Sequence, residues 1–229
     1  MSGLSSILEP DLLYTLASVA VVVLSTVPHE VAHGWMAYRC GDPTAKEAGR
    51  LSLNPLKHLD PVGSVLLPLL LALAGAPVFG YAKPVPYNPY RLRKVGRDEA
   101  LVALAGPCAN LLQALVGAGA FQLVWNLAPE AFLASQAGFV VCQLLVWYVY
   151  INCTLAFFNL LPVPPLDGSK VISPLLSPAA RERYWRLQNY AMHVLMVLLI
   201  VGPNLMGLDL VGDYLDLTAG NLAGWLLGM

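Results

Sequence analysis

His29, Glu30 and His33 stand in the run His-Glu-Val-Ala-His, an HExxH pattern. The stretch that holds them, Leu12 to Tyr38, reads as one long helix, apolar through Val27. Residues four apart share a helical face, so both imidazoles can reach one metal ion. Glu30 falls on the adjacent edge, where it can take a proton from a metal-activated water without joining the ligand set. It is also the only carboxylate inside this apolar span, where ionisable groups are costly and usually functional. The structural alternative is a pair of buried, hydrogen-bonded histidines with Glu30 neutralising one of them. Two His and a Glu at this spacing weigh against that alternative.

A catalytic zinc needs three protein ligands and one open position. His58 and Asp60 lie in HLDP within a basic loop, where a loop or interfacial role fits His58 better than catalysis. His193 stands alone near the start of the last apolar run and reads as a packing or pore residue. Asp167 differs, because it follows a long apolar segment directly in NLLPVPPLDG, residues 159–168. The prolines of that run oppose helix and favour an extended backbone, and Gly168 permits a tight bend. The HExxH sits near the cytoplasmic end of its helix, and the apolar segment before Asp167 ends on that same side. Topology therefore brings Asp167 to the depth of the two histidines.

The elements that must position these groups are long and apolar. Beyond Leu12 to Tyr38, the segments Leu101 to Leu127, Gly138 to Leu161 and Tyr190 to Leu210 each suffice for a bilayer core about 30 Å thick at about 1.5 Å per residue. Composition agrees: of 229 residues, 57% are hydrophobic and 12% charged. A soluble domain carries about 25% charged residues, so too little polar surface remains here to cover a water-facing globule. All 13 Lys and Arg fall in three stretches, Arg39 to Lys57, Lys83 to Arg97 and Lys170 to Arg186. That partition is the positive-inside signature and puts the three stretches in the cytoplasm, with Glu130 on the opposite side.

Val62 to Phe79 has the length of a short span but is broken by Pro68, Gly75 and Pro77 and flanked by basic stretches on both sides. Charge favours a re-entrant segment, tolerable at that depth only where protein covers it or a cavity adjoins it. Phe79 to Val85, FGYAKPV, has the composition of a short edge strand. Leu205 to Met229 either finishes the preceding span, lies along the outer interface or adds a crossing. The four cysteines form no CxxC pair and imply neither a disulfide framework nor a cysteine metal site. The first apolar run lacks a basic lead-in, which argues against a cleaved signal peptide. The expected fold is an all-α polytopic membrane protein in a single domain over residues 1–229. It is a bundle of about four to six membrane segments, with a re-entrant segment and short β elements near the active site.

The sequence resembles the site-2 protease family of intramembrane metalloproteases, in its short bacterial branch. The family's HExxHG appears as HEVAHG, its NxxPxPxLDG as NLLPVPPLDG, and its GPxxN as Gly106-Pro107-Cys108-Ala109-Asn110. The runs GDPTAKEAGRLSLNPLKHLDPVGS and GYAKPVPYNP add to the likeness, which covers roughly residues 20 to 175. By resemblance, His29, His33 and Asp167 bind one zinc ion, Glu30 is the general base, and Asn159 helps hold the substrate or its developing oxyanion. For Asn110 and Gly106, helix packing and a site role stand side by side, since small residues and Asn are ordinary interhelical glue. The PDZ-like and nucleotide-binding modules of larger relatives have no counterpart in this sequence.

The reading is a zinc metalloendopeptidase of the cell membrane that hydrolyses peptide bonds in or near the transmembrane helix of a membrane-protein substrate. Its partners are that substrate and the lipid bilayer, with no role for nucleic acid; the oligomeric state is open. A membrane metal transporter would repeat ionisable residues along several spans, whereas here they cluster at one depth. A catalytically inactive relative that only binds substrate would lack Glu30 or a ligand, and all are present.

Overall fold

The computed structural model describes residues 10–58, 60, 63, 66, 70, 83–202 and 207–229. Apart from isolated positions, the segment expected to re-enter the membrane, Val62 to Phe79, lies outside these residues, as does the start of FGYAKPV.

Helix α1 runs Pro10–Arg39. Helix α2 runs Val95–Leu127, six residues longer at its start than hydropathy alone indicates. The cause is Asp98: its carboxylate accepts the Lys94 N–H at 2.9 Å while its own N–H donates to the Lys94 carbonyl at 2.8 Å. This reciprocal closure makes the charged residues 95–100 the first turns of the helix. Helix α3, Gln136–Asn159, starts where the Ser135 hydroxyl accepts the Gly138 N–H at 3.1 Å. Short helices α4 (Asp167–Ile172) and α5 (Pro178–Arg186) lead to α6, Gln188–Val201. The last apolar run is expected to continue to Leu210; α6 covers it as far as Val201, and residues 203–206 lie outside the described residues.

The C-terminal segment forms a helix of its own rather than a tail. It comprises α7 (Leu210–Leu215), a π-helical turn Asp216–Gly220 and α8 (Asn221–Leu227). Asp209 starts it by accepting the Gly212 N–H at 2.8 Å. Ala219, Ala223 and Leu227 pack into one cluster with Ala114, Ala118 and Phe121 of α2 and Val149 and Cys153 of α3. Alanines on both faces let the backbones approach closely, the way helices associate where lipid replaces water.

Helix α2 is central and packs against α1, α3, α4 and α8. Helices α2 and α3 are long and apolar enough to cross a membrane. On α2, Leu112, Val116 and Leu123 are 62%, 65% and 61% exposed, an apolar outer face that lipid covers without cost and water does not. No strand occurs among the described residues. Of the expected edge strand Phe79 to Val85, the described residues 83–85 run without ladder pairing, and the rest lies outside the described residues. The Val85 N–H donates instead to the Glu30 carboxylate at 2.9 Å, so a side chain satisfies the group a strand partner would have taken.

Candidate metal centre

The HExxH turn of α1 lies against two neighbours that only glycine admits. A Cβ at Gly34 would fall 2.6 Å from Val85 Cγ1 and 2.9 Å from Leu51 Cδ2, so the glycine of HEVAHG lets residues 45–51 and 85 close over the helix. A Cβ at Gly106 would fall 2.6 Å from His29 Cε1 and closer still to His33 Nε2. The smallest residue of GPxxN thus makes the room in which the two imidazoles stand, and α2 is their wall.

Asp167 arrives by a different route from the extended one expected. Residues 161–166 turn back on themselves, with Val163 N–H donating to Leu161 O at 2.8 Å and Leu166 N–H to Val163 O at 2.9 Å. Asp167 then opens α4. A Cβ at Gly168 would collide with the Leu160 carbonyl, so this glycine lets the first turn of α4 fold onto the end of α3. The three prolines break the helix, as their missing donors require, but the chain answers with turns rather than a strand.

His29 Nε2, His33 Nε2 and Asp167 Oδ2 meet at one place. The two nitrogens are 3.0 Å apart, and they lie 3.3 Å and 3.2 Å from the carboxylate oxygen. Tetrahedral zinc with bonds of about 2.0–2.1 Å spaces its nitrogen and oxygen ligands by about 3.3 Å, so this triangle has the edges of a zinc site. The hydrogen bonds behind it decide the proton positions. His33 Nδ1 is 2.7 Å from the Val102 carbonyl, which can only accept. His29 Nδ1 is 2.5 Å from Asn110 Oδ1. Both Nδ1 atoms are therefore donors, and both Nε2 atoms carry lone pairs. Two lone pairs and a carboxylate oxygen facing one another, with Asp167 Oδ2 buried and without a hydrogen-bond partner, fit a bound cation. Among the described residues, His29, His33 and Asp167 form the group able to hold a metal ion.

A cleft of about 230 Å³ opens on this triangle and is lined by Glu30, Val85, Tyr87, Asn159 and Lys170 as well as His29, His33 and Asp167. Asn159 is held by its own helix, its Nδ2 donating to the Leu155 carbonyl at 2.9 Å. His58 stays outside the cleft, buried, its Nε2 2.7 Å from the Ser52 carbonyl, in the loop role expected of it. Asp60 is likewise a loop residue, accepting the Gly63 N–H at 2.7 Å. Sequence reasoning did not single out Ser25 or Asn152, which are fully buried behind His29. Their signal was present: polar side chains inside apolar spans.

The profile of peptidase family M50 matches residues 129–202, which include NLLPVPPLDG. The Bacillus subtilis protein named "Putative zinc metalloprotease YwhC" is 38% identical over 182 residues, covering 80% of this chain and 79% of that one. Two proteins named "Putative zinc metalloprotease Rip2" are each 30% identical. The one from Mycolicibacterium smegmatis aligns over 80% of this chain and 66% of its own length, and the one from Mycobacterium tuberculosis H37Rv over 82% and 68%. No solved structure matches the chain. With a relative at this identity over four fifths of its length, the chain belongs to peptidase family M50, the site-2 protease family of zinc metalloproteases.

Proposed function

We propose that this chain, a single domain over residues 1–229, cleaves peptide bonds within or near the transmembrane helices of other membrane proteins. One observation carries the reading: two imidazole lone pairs and a carboxylate converge beside Glu30, in a bundle whose outer face is apolar. His29, His33 and Asp167 are the proposed ligands. Zinc held there supplies Lewis acidity toward a water and a peptide carbonyl.

The protein's own groups do the rest. Glu30 takes the proton of the attacking water and returns it to the leaving amine. The Val85 N–H on Glu30 Oε2 orients that carboxylate and leaves its other oxygen for the proton. Asn159 holds the substrate carbonyl or its developing oxyanion. A helical substrate has its peptide groups tied up in its own hydrogen bonds, so it must unwind locally first, and Gly, Pro or Asn near the cut lowers that cost.

Glu30→Gln is expected to lower cleavage by about 10²–10⁴-fold while leaving zinc content near that of the wild type. Asp167→Ala is expected to lose the metal. Elemental analysis of the purified variants and accumulation of an uncut membrane substrate read both effects. Loss of metal from Glu30→Gln as complete as from His33→Ala would overturn the assigned roles.

The proposed topology is a plasma-membrane bundle of four to six membrane segments, with the basic loops in the cytoplasm and Val62 to Phe79 re-entrant. The partition of basic residues supports it. In a background without the native cysteines, Glu130→Cys is expected to react with an impermeant thiol reagent in intact cells and Arg91→Cys is not. Labelling at position 91 would mean that Val62 to Phe79 crosses the bilayer.

A further inference from the structure

The hydrogen-bond chain behind His29 does not stop at Asn110. Asn110 Nδ2 donates to Asn152 Oδ1 at 2.8 Å and to the Ser25 carbonyl at 3.2 Å. Asn152 Nδ2 donates in turn to the Tyr148 carbonyl and to Ser25 Oγ, both at 2.9 Å. Asn110, Asn152 and Ser25 are fully buried, one from each of α2, α3 and α1.

The direction of every bond in this chain follows from its two fixed ends, the backbone carbonyls of Tyr148 and Ser25, which can only accept. They assign the NH₂ of Asn152 to the Tyr148 side, so its oxygen faces Asn110. That oxygen and the Ser25 carbonyl assign the NH₂ of Asn110, so its oxygen faces His29. His29 must then carry its proton on Nδ1, with the Nε2 lone pair directed at the metal position. If Asn110 flipped, its NH₂ would meet His29 Nδ1, the proton would move to Nε2, and that nitrogen could no longer bind a cation. The flip is opposed by the two oxygens it would face. The Ser25 carbonyl is the weaker of them, being longer and shared with Gln113 Nε2 at 3.1 Å. The Asn152 oxygen is the stronger.

We infer that Asn152 is a positioning residue for the metal centre: acting through Asn110, it locks His29 in the tautomer that binds zinc. His33 needs no such relay, because a backbone carbonyl orients it directly. The inference rests on the proposed zinc site and adds a residue on α3 that touches neither metal nor substrate.

The test is a double-mutant cycle read as zinc affinity by chelator competition, on purified full-length protein in detergent. Asn152→Ala and Asn110→Ala are each expected to weaken zinc binding by about 10–100-fold, the range for residues that orient a metal-bound histidine. Because Asn152 acts through Asn110, the double variant should bind zinc no more weakly than Asn110→Ala alone. A purely structural role would instead lower the metal-free melting temperature in both backgrounds and leave zinc affinity unchanged. Asn152→Leu fills the same volume without the acceptor oxygen and serves if the alanine variant does not fold. Zinc affinity within twofold of wild type in Asn152→Ala or Asn152→Leu, or additive losses in the double variant, would overturn the inference. Failure of the wild-type protein to bind one zinc would instead sink the proposed metal site.

Discussion

Two stretches of α2 use small residues for different ends. Between Val102 and Asn110 the helix faces α1, and Gly106 clears a space that two imidazoles fill. Between Ala114 and Phe121 it faces the C-terminal helix, and Ala114 and Ala118 clear a space that Ala219 and Ala223 fill. A helix that is apolar almost throughout thus has one half that makes room for two imidazoles and another that makes room for a backbone. Smallness alone does not reveal which is which. The distinction lies in the polar partners: the Val102 carbonyl and the Asn110 amide point at imidazoles, while the cluster around Ala114 and Ala223 is apolar and the polar bond beside it, Gln122 Nε2 to the Leu227 carbonyl at 2.8 Å, joins helix to helix.

The sharpest way to break this contrast is Gly106→Ala. Its methyl group would fall within 2.6 Å of both imidazoles, which are held from behind and have little room to retreat. Zinc affinity is expected to fall by about 100-fold or more, beyond the usual effect of disturbing a residue that only orients a ligand. The folded bundle should survive, as circular dichroism would report. Retention of full zinc occupancy would show that the wall is softer than the distances imply.

Ala118→Leu is the matching change in the other half. Overpacking a closed contact costs about 1–3 kcal/mol, so the melting temperature should drop while the folded protein keeps its zinc and its activity. If the variant sheds zinc as readily as Gly106→Ala, the two halves of α2 are not independent.

The smallest effect belongs to Asp42, in the loop after α1 and outside both halves. Burial alone would push its carboxyl up. Hydrogen bonds from the Thr44 hydroxyl and the Asn88 and Thr44 N–H groups, with the Arg91 charge nearby, outweigh this and hold it below the usual carboxylate range. A lowered native pKa contributes stability above the unfolded value of about 3.9, and that contribution is lost as pH falls below about 4. Asp42→Asn is expected to cost about 1 kcal/mol at pH 7 and to flatten the acid limb of the stability profile. An acid limb as steep as that of the wild type would assign the loss to other carboxylates.

Much of the candidate site was legible because its residues stand in short local patterns. The i, i+4 spacing of His29 and His33 and the placement of Asp167 after an apolar run are one-dimensional facts, and the structure brings all three together. The long helices were legible for the same reason, and their ends were less so. Residues 95–100 look too charged for a span, and their helical state depends on Asp98 closing on Lys94. The turns of residues 161–166 and the independent C-terminal helix were not legible, because prolines forbid helix without prescribing a successor, and an alanine stripe does not name its partner.

By itself, then, the sequence determined which residues could together hold a metal ion and that long apolar helices carry them, since each depends on residue type and short spacing. Only the tertiary structure decided which nitrogen of each histidine is free to bind. That choice is made by acceptors 81 residues away for His29 and 69 for His33. An imidazole's tautomer is fixed by whatever its other nitrogen touches, and no local pattern encodes that contact.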